Sequence, residues 1–232
     1  EPPPEAARII VTLTGEFERR YLPVLAGRLP AWVTPDILTT CGMVAALLIG
    51  ILYSYSDSVP SLLWVINALV VVHWYADSLD GTLARVRKIE RPRYGFYLDH
   101  ASDAVTVLFV CLGLGKSTYM DMRVALGVLL GYYLIMIQVL LSAYTLREFK
   151  ISYGKFGPTE LRIILILINS GLWIQMTWMP EWGRWSLWGY QLRLMDVLGI
   201  LASLYFLVIF VGAFFDGLKR LAVLEPPGIK HE

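Results

Sequence analysis

Apolar residues run along this chain in six long blocks, each about as long as the helix needed to cross some 30 Å of hydrocarbon. The pattern predicts membrane spans over about 35–55, 60–87, 94–115, 120–147, 158–178 and 193–216. The first starts sharply: Thr34-Pro35-Asp36 offers a capping hydroxyl, a proline at the first helical position and an acid in the first turn. Ser56-Asp57-Ser58-Val59-Pro60 marks a turn, and Gly157-Pro158-Thr159-Glu160 opens the fifth span. Trp178, Trp182, Trp185 and Trp188 crowd the next connection; such rings favour the membrane–water boundary, so this linker is expected to lie flat on it. Ahead of the first span, residues 5–29 mix Ile9, Ile10, Leu13, Phe17, Leu22 and Leu25 with Arg8, Arg19, Arg20 and Arg28. That mixture suits an amphipathic helix in the interfacial plane, weakened or bent at Gly15 and Pro23.

The expected fold is therefore an all-α integral membrane protein with six transmembrane helices behind an N-terminal interfacial helix. Residues 1–33 would form the interfacial segment, 34–218 the transmembrane domain and 219–232 a tail. No internal repeat stands out. Composition agrees: 56% of the 232 residues are hydrophobic, above the roughly 45–50% of soluble domains. The length would suit one or two soluble domains, but the blocks exclude them.

Net charge is only +1, so the total identifies no partner, and a nucleic-acid partner is not expected. The placement of charge says more. With a cytoplasmic N-terminus, sixteen of the 20 Lys and Arg residues fall on the cytoplasmic side, leaving Lys116, Arg123, Arg184 and Arg193 opposite. Such a bias orients the chain with both termini cytoplasmic. Cys41 and Cys111 both lie in apolar blocks and read as two buried thiols rather than a disulfide or metal framework. The N-terminal segment lacks the basic and short apolar regions of a signal peptide, so the first span is expected to be retained.

The second and third blocks carry acids where apolar residues belong. The chain reads His73-Trp74-Tyr75-Ala76-Asp77-Ser78-Leu79-Asp80-Gly81-Thr82-Leu83-Ala84-Arg85, then a basic loop, then Gly95-Phe96-Tyr97-Leu98-Asp99-His100-Ala101-Ser102-Asp103. Asp77 and Asp80 are spaced i, i+3, and Asp99 and Asp103 i, i+4, so each pair lies on one helix face. A short loop makes the two helices antiparallel neighbours, and four carboxylates converge near the cytoplasmic surface. An acid near mid-membrane costs about 2.5–3.5 kcal/mol on insertion scales. Protons, arginines or divalent cations can each offset that cost. An all-oxygen donor set of this kind suits Mg²⁺ or Mn²⁺. Gly81 and Ala84 leave room on the carboxylate face, and Arg85 supplies a fork suited to phosphate.

Asp-x2-Asp-Gly-x2-Ala-Arg, nine residues, then Gly-x3-Asp-x3-Asp is similar to the signature of the CDP-alcohol phosphotransferase family. All eight positions are present: Asp77, Asp80, Gly81, Ala84, Arg85, Gly95, Asp99 and Asp103. The resemblance implies a multi-pass membrane enzyme of phospholipid synthesis, with its active site on the cytoplasmic side of a cell inner membrane or, in a eukaryote, of the endoplasmic reticulum. It implies that Asp77, Asp80, Asp99 and Asp103 hold one or two divalent cations, Mg²⁺ or Mn²⁺. Asp80, Gly81, Ala84, Arg85 and Gly95 would contact the CDP-linked donor, and Asp103 would take the proton of the acceptor hydroxyl. A lipid substrate and a homodimer are also implied.

Asp99-His100 and Gly157-Pro158-Thr159-Glu160 resemble the choline/ethanolamine phosphotransferase branch, where the histidine is a second candidate base. That branch carries an acid directly after the motif glycine, whereas this chain has Phe96. The lean is to a CDP-aminoalcohol donor and a diacylglycerol-like acceptor. The alternative is a CDP-diacylglycerol donor with a small polar alcohol acceptor. Arg147, Lys150, Lys155, Glu160 and Arg162, around the fourth-to-fifth connection, are candidates for an acceptor phosphate or headgroup, or else ordinary cytoplasmic flanking residues. A cation-coupled transporter is the rival from another class. The lack of a repeat and the one-ended clustering of acids argue against it.

Overall fold

A computed structural model describes residues 7–9, 15–146, 148–150, 158–179, 183–187 and 189–226. Its helices are α1 (Gly15–Arg28), α2 (Pro35–Tyr53), α3 (Leu62–Arg87), α4 (Pro92–Lys116), α5 (Met122–Thr145), α6 (Pro158–Trp178) and α7 (Leu194–Leu224). Six of them, α2 to α7, are long and apolar enough to cross a membrane, as the six blocks predict. The remaining elements are short strands: β1 (Ala7–Ile9) pairs in parallel with β2 (Glu148–Lys150), and β3 (Arg184–Leu187) pairs antiparallel with β4 (Tyr190–Arg193).

The helix ends follow local chemistry. Thr34 Oγ1 accepts the Ile37 N–H at 3.2 Å, with Pro35 at the first helical position. α3 stops at Lys88, whose φ of 56° puts it in the left-handed region, and its N–H bonds back to the carbonyls of Ala84 and Arg85. Pro92 then starts α4. At the other end of the bundle, buried Asp196 accepts the Arg193 N–H at 3.0 Å and the Asp121 N–H at 2.6 Å. One carboxylate thus caps α7 and ties it to the start of α5.

Packing is closest where glycines meet. A Cβ on Gly50 would stand 2.5 Å from the Phe109 carbonyl oxygen, and one on Gly113 would collide with the Gly50 backbone. α2 and α4 therefore touch backbone to backbone, a small-residue crossing of the kind membranes favour. Between α5 and α7, Gly131 receives the Phe206 side chain and Gly199 the Val124 side chain, so side chains pack directly onto glycine backbone. α6 is held by polar contacts instead. Tyr53 Oη donates to Asn169 Oδ1 at 2.7 Å, Asn169 Nδ2 donates to Asn67 Oδ1 at 2.9 Å, and Asn67 Nδ2 donates to Ser170 Oγ at 3.2 Å. With Tyr53 and Asn169 fully buried, this clasp joins α2, α3 and α6 where no water is at hand.

α1 lays Leu22 and Ala26 on Leu79 and Leu83 of α3. The outer faces of α5 and α7 expose Leu130, Leu201 and Val208, as suits hydrocarbon as solvent. Three details depart from the sequence reading. The tryptophan-rich linker, read without secondary structure of its own, contains the β3–β4 ribbon, with Gly183 (φ +77°) and Gly189 (φ +84°) in the left-handed region; Trp182 and Trp188 lie outside the described residues. α7 runs to Leu224 rather than ending near 216, because no helix breaker precedes Pro226 and Asp216 lies on the turn before Arg220. Cys41 is exposed; only Cys111 is buried, and both are free thiols. Residues 1–6, 10–14 and 227–232, within the predicted interfacial segment and tail, lie outside the described residues.

Gly50→Val is expected to destabilise the fold by about 1–3 kcal/mol through overpacking, whereas Gly171→Ala, where a Cβ would meet nothing within 4 Å, leaves it unchanged. Thermal unfolding in detergent, followed by the reactivity of the buried Cys111 thiol, measures the difference.

Candidate active site

The ends of α3 and α4 nearest their short connection carry the four predicted aspartates. Asp103 has Asp77, Asp99 and Asp80 in its electrostatic surroundings, so the spacing argument holds in three dimensions. Each of the first two acids is held by a different helix. Asp77 Oδ2 accepts from Arg162 of α6 at 2.7 Å, with both side chains largely shielded (24% and 16% exposed). Asp80 Oδ2 accepts from the Thr39 hydroxyl of α2 at 2.7 Å, and Asp80 Oδ1 accepts the Gly81 N–H at 2.5 Å. Asp99 is more open (40% exposed) and lies 3.6 Å from His100.

His100 Nδ1 lies 2.9 Å from the Phe96 carbonyl, an arrangement that makes Nδ1 the N–H and Nε2 the accepting nitrogen. The Phe96 and His100 rings pack with centroids 4.2 Å apart. Phe96 thus orients the histidine from the position where the choline/ethanolamine branch has an acid. His73 is buried and lies 3.2 Å from the Thr106 hydroxyl, tying α3 to α4. A small cavity beside Asp77 and Asp80 is lined by Thr39, Gly42, Met43, His73, Ser102 and Thr106 as well.

The other signature residues lie on α3 and at the start of α4. A Cβ on Gly81 would lie 3.5 Å from Arg85 Nη1, so the arginine folds back over the glycine, and Arg85 Nη2 donates to Thr82 Oγ1 at 3.0 Å. Gly95 has open space where a Cβ would be, and Ala84, between Gly81 and Arg85 in the motif, is half-buried on α3. Of the basic candidates, Arg162 reaches the acids. Lys150 is described in its backbone alone, while Arg147 and Lys155 lie outside the described residues. Glu160 is buried at the start of α6. Beside it Thr159 donates to Glu18 of α1 at 2.5 Å and receives the Trp74 indole N–H at 3.2 Å.

Four contributors escape the sequence reading. Thr39 is a mid-helix threonine with no sequence mark, and its partner lies 41 positions away. Tyr132 of α5 stands in the electrostatic surroundings of Asp103, Arg162, Asp77 and Asp99, and in sequence it is one aromatic within an apolar block. Arg87 reads as a positive flank, yet its guanidinium collects the carbonyls of Leu29 (3.0 Å), Pro30 (2.8 Å) and Val33 (2.5 Å). Arg91 adds a second brace to α2, with Nη2 2.5 and 2.7 Å from the two Asp36 oxygens and its guanidinium 3.9 Å over the Tyr94 ring. The α1–α2 connection is thereby pinned beside the mouth of the site.

Among the described residues, no three acidic, histidine or cysteine side chains stand arranged to hold an ion as they are. The donor chemistry nevertheless fits a hard divalent cation. Four carboxylates share one volume, and the Arg162 ion pair offsets a single negative charge. Asp77, Asp80, Asp99 and Asp103 are the residues that would hold it.

Residues 32–190 match the family model described as CDP-alcohol phosphatidyltransferase. Among curated proteins, the chain is similar to cholinephosphotransferase 1 of Danio rerio, 28% identical over 212 residues covering 83% of this chain and 53% of that protein. Cholinephosphotransferase 1 of Gallus gallus is 26% identical over 223 residues, 88% of this chain and 64% of that protein. The chain thus spans about half to two thirds the length of these relatives.

Charge-assisted hydrogen bonds of the Arg87 kind are worth about 1.5–3 kcal/mol each. Arg87→Ala is therefore expected to loosen the α1–α2 connection, raising the rate of tryptic cleavage after Arg28 by roughly tenfold or more. Limited proteolysis of the detergent-solubilised protein checks this.

Proposed function

The chain belongs to the CDP-alcohol phosphatidyltransferase family, and from that premise we propose that it transfers a substituted phosphate from a CDP-linked donor to an acceptor hydroxyl, releasing CMP. The observation that carries this reading is the meeting of four aspartates from two adjoining helix ends, beside Gly81 and Arg85. In this reading Gly81 lets the donor approach the α3 backbone, and the Arg85 fork turns from Thr82 to a phosphate of the CDP group. A bound Mg²⁺ or Mn²⁺ supplies Lewis-acid charge at the phosphoryl oxygens. The acceptor oxygen attacks the phosphorus distal to cytidine, the bond from that phosphorus to the CMP oxygen breaks, and CMP departs with its own phosphate. The acceptor's proton passes to Asp103, with His100 Nε2 as the other candidate base. Thr39 keeps the Asp80 carboxylate turned to its task.

A CDP-aminoalcohol donor with a diacylglycerol-like acceptor is favoured by the cholinephosphotransferase relatives and by Asp99-His100. Arg162 beside Asp77 is the observation favouring the second reading, a CDP-diacylglycerol donor with a small phosphorylated alcohol, since a guanidinium suits that phosphate. The charge bias along the chain supports a cytoplasmic active site with both termini on that side. A homodimer belongs to the same reading and rests on the family resemblance. Electrogenic transport with no CMP release is the outcome that would revive the transporter rival.

Purified protein with Mg²⁺ or Mn²⁺ is expected to release CMP from CDP-choline in the presence of diacylglycerol, and to stop on chelation. Release only from CDP-diacylglycerol with a polar alcohol would move the lipid to the donor side. Asp80→Asn should abolish release. Loss of about 10²–10⁴-fold in Asp103→Asn with Mn²⁺ binding retained, and His100→Gln active, assigns the base to Asp103; the reverse assigns it to His100. Thr39→Val is expected to cost about 10–100-fold, with Thr39→Ser close to wild type, because only the valine removes the hydrogen bond to Asp80.

A further inference from the structure

We propose that Arg162 is the resident counter-ion of the carboxylate site, a positioning residue that holds Asp77 until a divalent cation takes that carboxylate over. The inference rests on the cation-dependent reaction proposed above. Two of the four acids are held by different helices. Thr39 of α2 and the Gly81 N–H of α3 fix Asp80, while Arg162 of α6 holds Asp77. Among the described residues, no three acids then stand ready to hold an ion, although all four lie within one electrostatic neighbourhood.

The guanidinium sits where charge balance requires a cation. Arg162 Nη2 lies 2.7 Å from Asp77 Oδ2, so a Mg²⁺ bond of roughly 2.0–2.1 Å to the same carboxylate brings a second cation close to the guanidinium. Two cations on one largely shielded carboxylate repel each other, and each weakens the hold of the other. Arg162 and the metal ion therefore compete for Asp77.

The α6 backbone is held independently of this ion pair. Asn169 follows Arg162 by seven residues, two turns further along the same face of α6, and is clasped by Tyr53 and Asn67. The α6 backbone is thereby anchored, and the long Arg162 side chain is the part left to swing. Asp103 lies within its electrostatic reach, so the guanidinium that leaves Asp77 keeps an acidic neighbour. A structural ion pair would stabilise the protein whether or not metal is present. A counter-ion placeholder does so only in the metal's absence, and linkage requires that removing it tightens metal binding.

The test is Mn²⁺ binding to the full chain in detergent, read from the EPR signal of free Mn²⁺, alongside thermal unfolding with and without Mn²⁺. Arg162→Gln is expected to bind Mn²⁺ on the order of fivefold to a hundredfold more tightly than wild type. Arg162→Lys, which keeps the charge, should bind within about threefold of wild type. Arg162→Gln should also melt lower than wild type without metal and level with it at saturating Mn²⁺. If that variant folds only when purified with Mn²⁺, the cation has replaced the guanidinium and the proposal is supported. Failure to fold in either condition overturns it, as does a variant that binds Mn²⁺ no better than wild type. Wild type that releases CMP with Mn²⁺ while Arg162→Gln shows unchanged affinity would sink this inference and leave the enzyme reading intact. Wild type that neither binds Mn²⁺ nor releases CMP would sink both.

Discussion

A carboxylate in a membrane-embedded bundle needs a partner for its charge, and the helices around Asp77 and Asp80 are placed so that each supplies one. α2 brings the Thr39 hydroxyl, α6 brings the Arg162 guanidinium, and α3 lends the Gly81 N–H. These contacts reach 41 and 85 positions along the chain, so the acids act as staples as well as chemistry. A fold that lost the α2–α3–α6 arrangement would strand charge in a low dielectric, where unpaired acids are most costly.

Holding α2 and α6 in place falls to contacts elsewhere. The Gly50–Gly113 crossing sets α2 against α4 at backbone distance. The Tyr53–Asn169–Asn67 clasp fixes α6 against α2 and α3 deep in the bundle. At the mouth, Arg87 and Arg91 bind the α1–α2 connection and the first turn of α2. The Thr39–Asp80 bond thus lies between two anchors of α2, one at its start and one near its end. Precision at the acids comes from small residues and polar clasps, because lipid gives no hydrophobic drive for helices to associate.

Much of this was legible in the sequence because it is local. Span limits follow from apolar length and from signals such as Thr34-Pro35-Asp36. Asp77 with Asp80, and Asp99 with Asp103, declare their shared faces by spacing alone. What was not legible depends on distant parts of the chain. Thr39, Tyr132 and Arg87 look ordinary until folding brings Asp80, the acid cluster and the Leu29–Val33 carbonyls to them. Arg162 was a candidate for a substrate phosphate, but its pairing with Asp77 could not be read from two residues 85 positions apart. The β3–β4 ribbon was hidden because tryptophans suggested an interface and masked the turn-forming role of Gly183 and Gly189.

The length of α7 has a consequence for the bilayer itself. Its 31 residues extend about 46 Å at 1.5 Å per residue, well beyond a hydrocarbon slab of about 30 Å. Such a helix tilts more steeply as its host membrane thins, or carries its final turns into the headgroups. α7 packs along α5, and α5 brings Tyr132 to the acids. The helix whose length exceeds the hydrocarbon slab is thus packed against the helix that carries Tyr132, which makes it the span most exposed to membrane thickness and a direct neighbour of an element of the site.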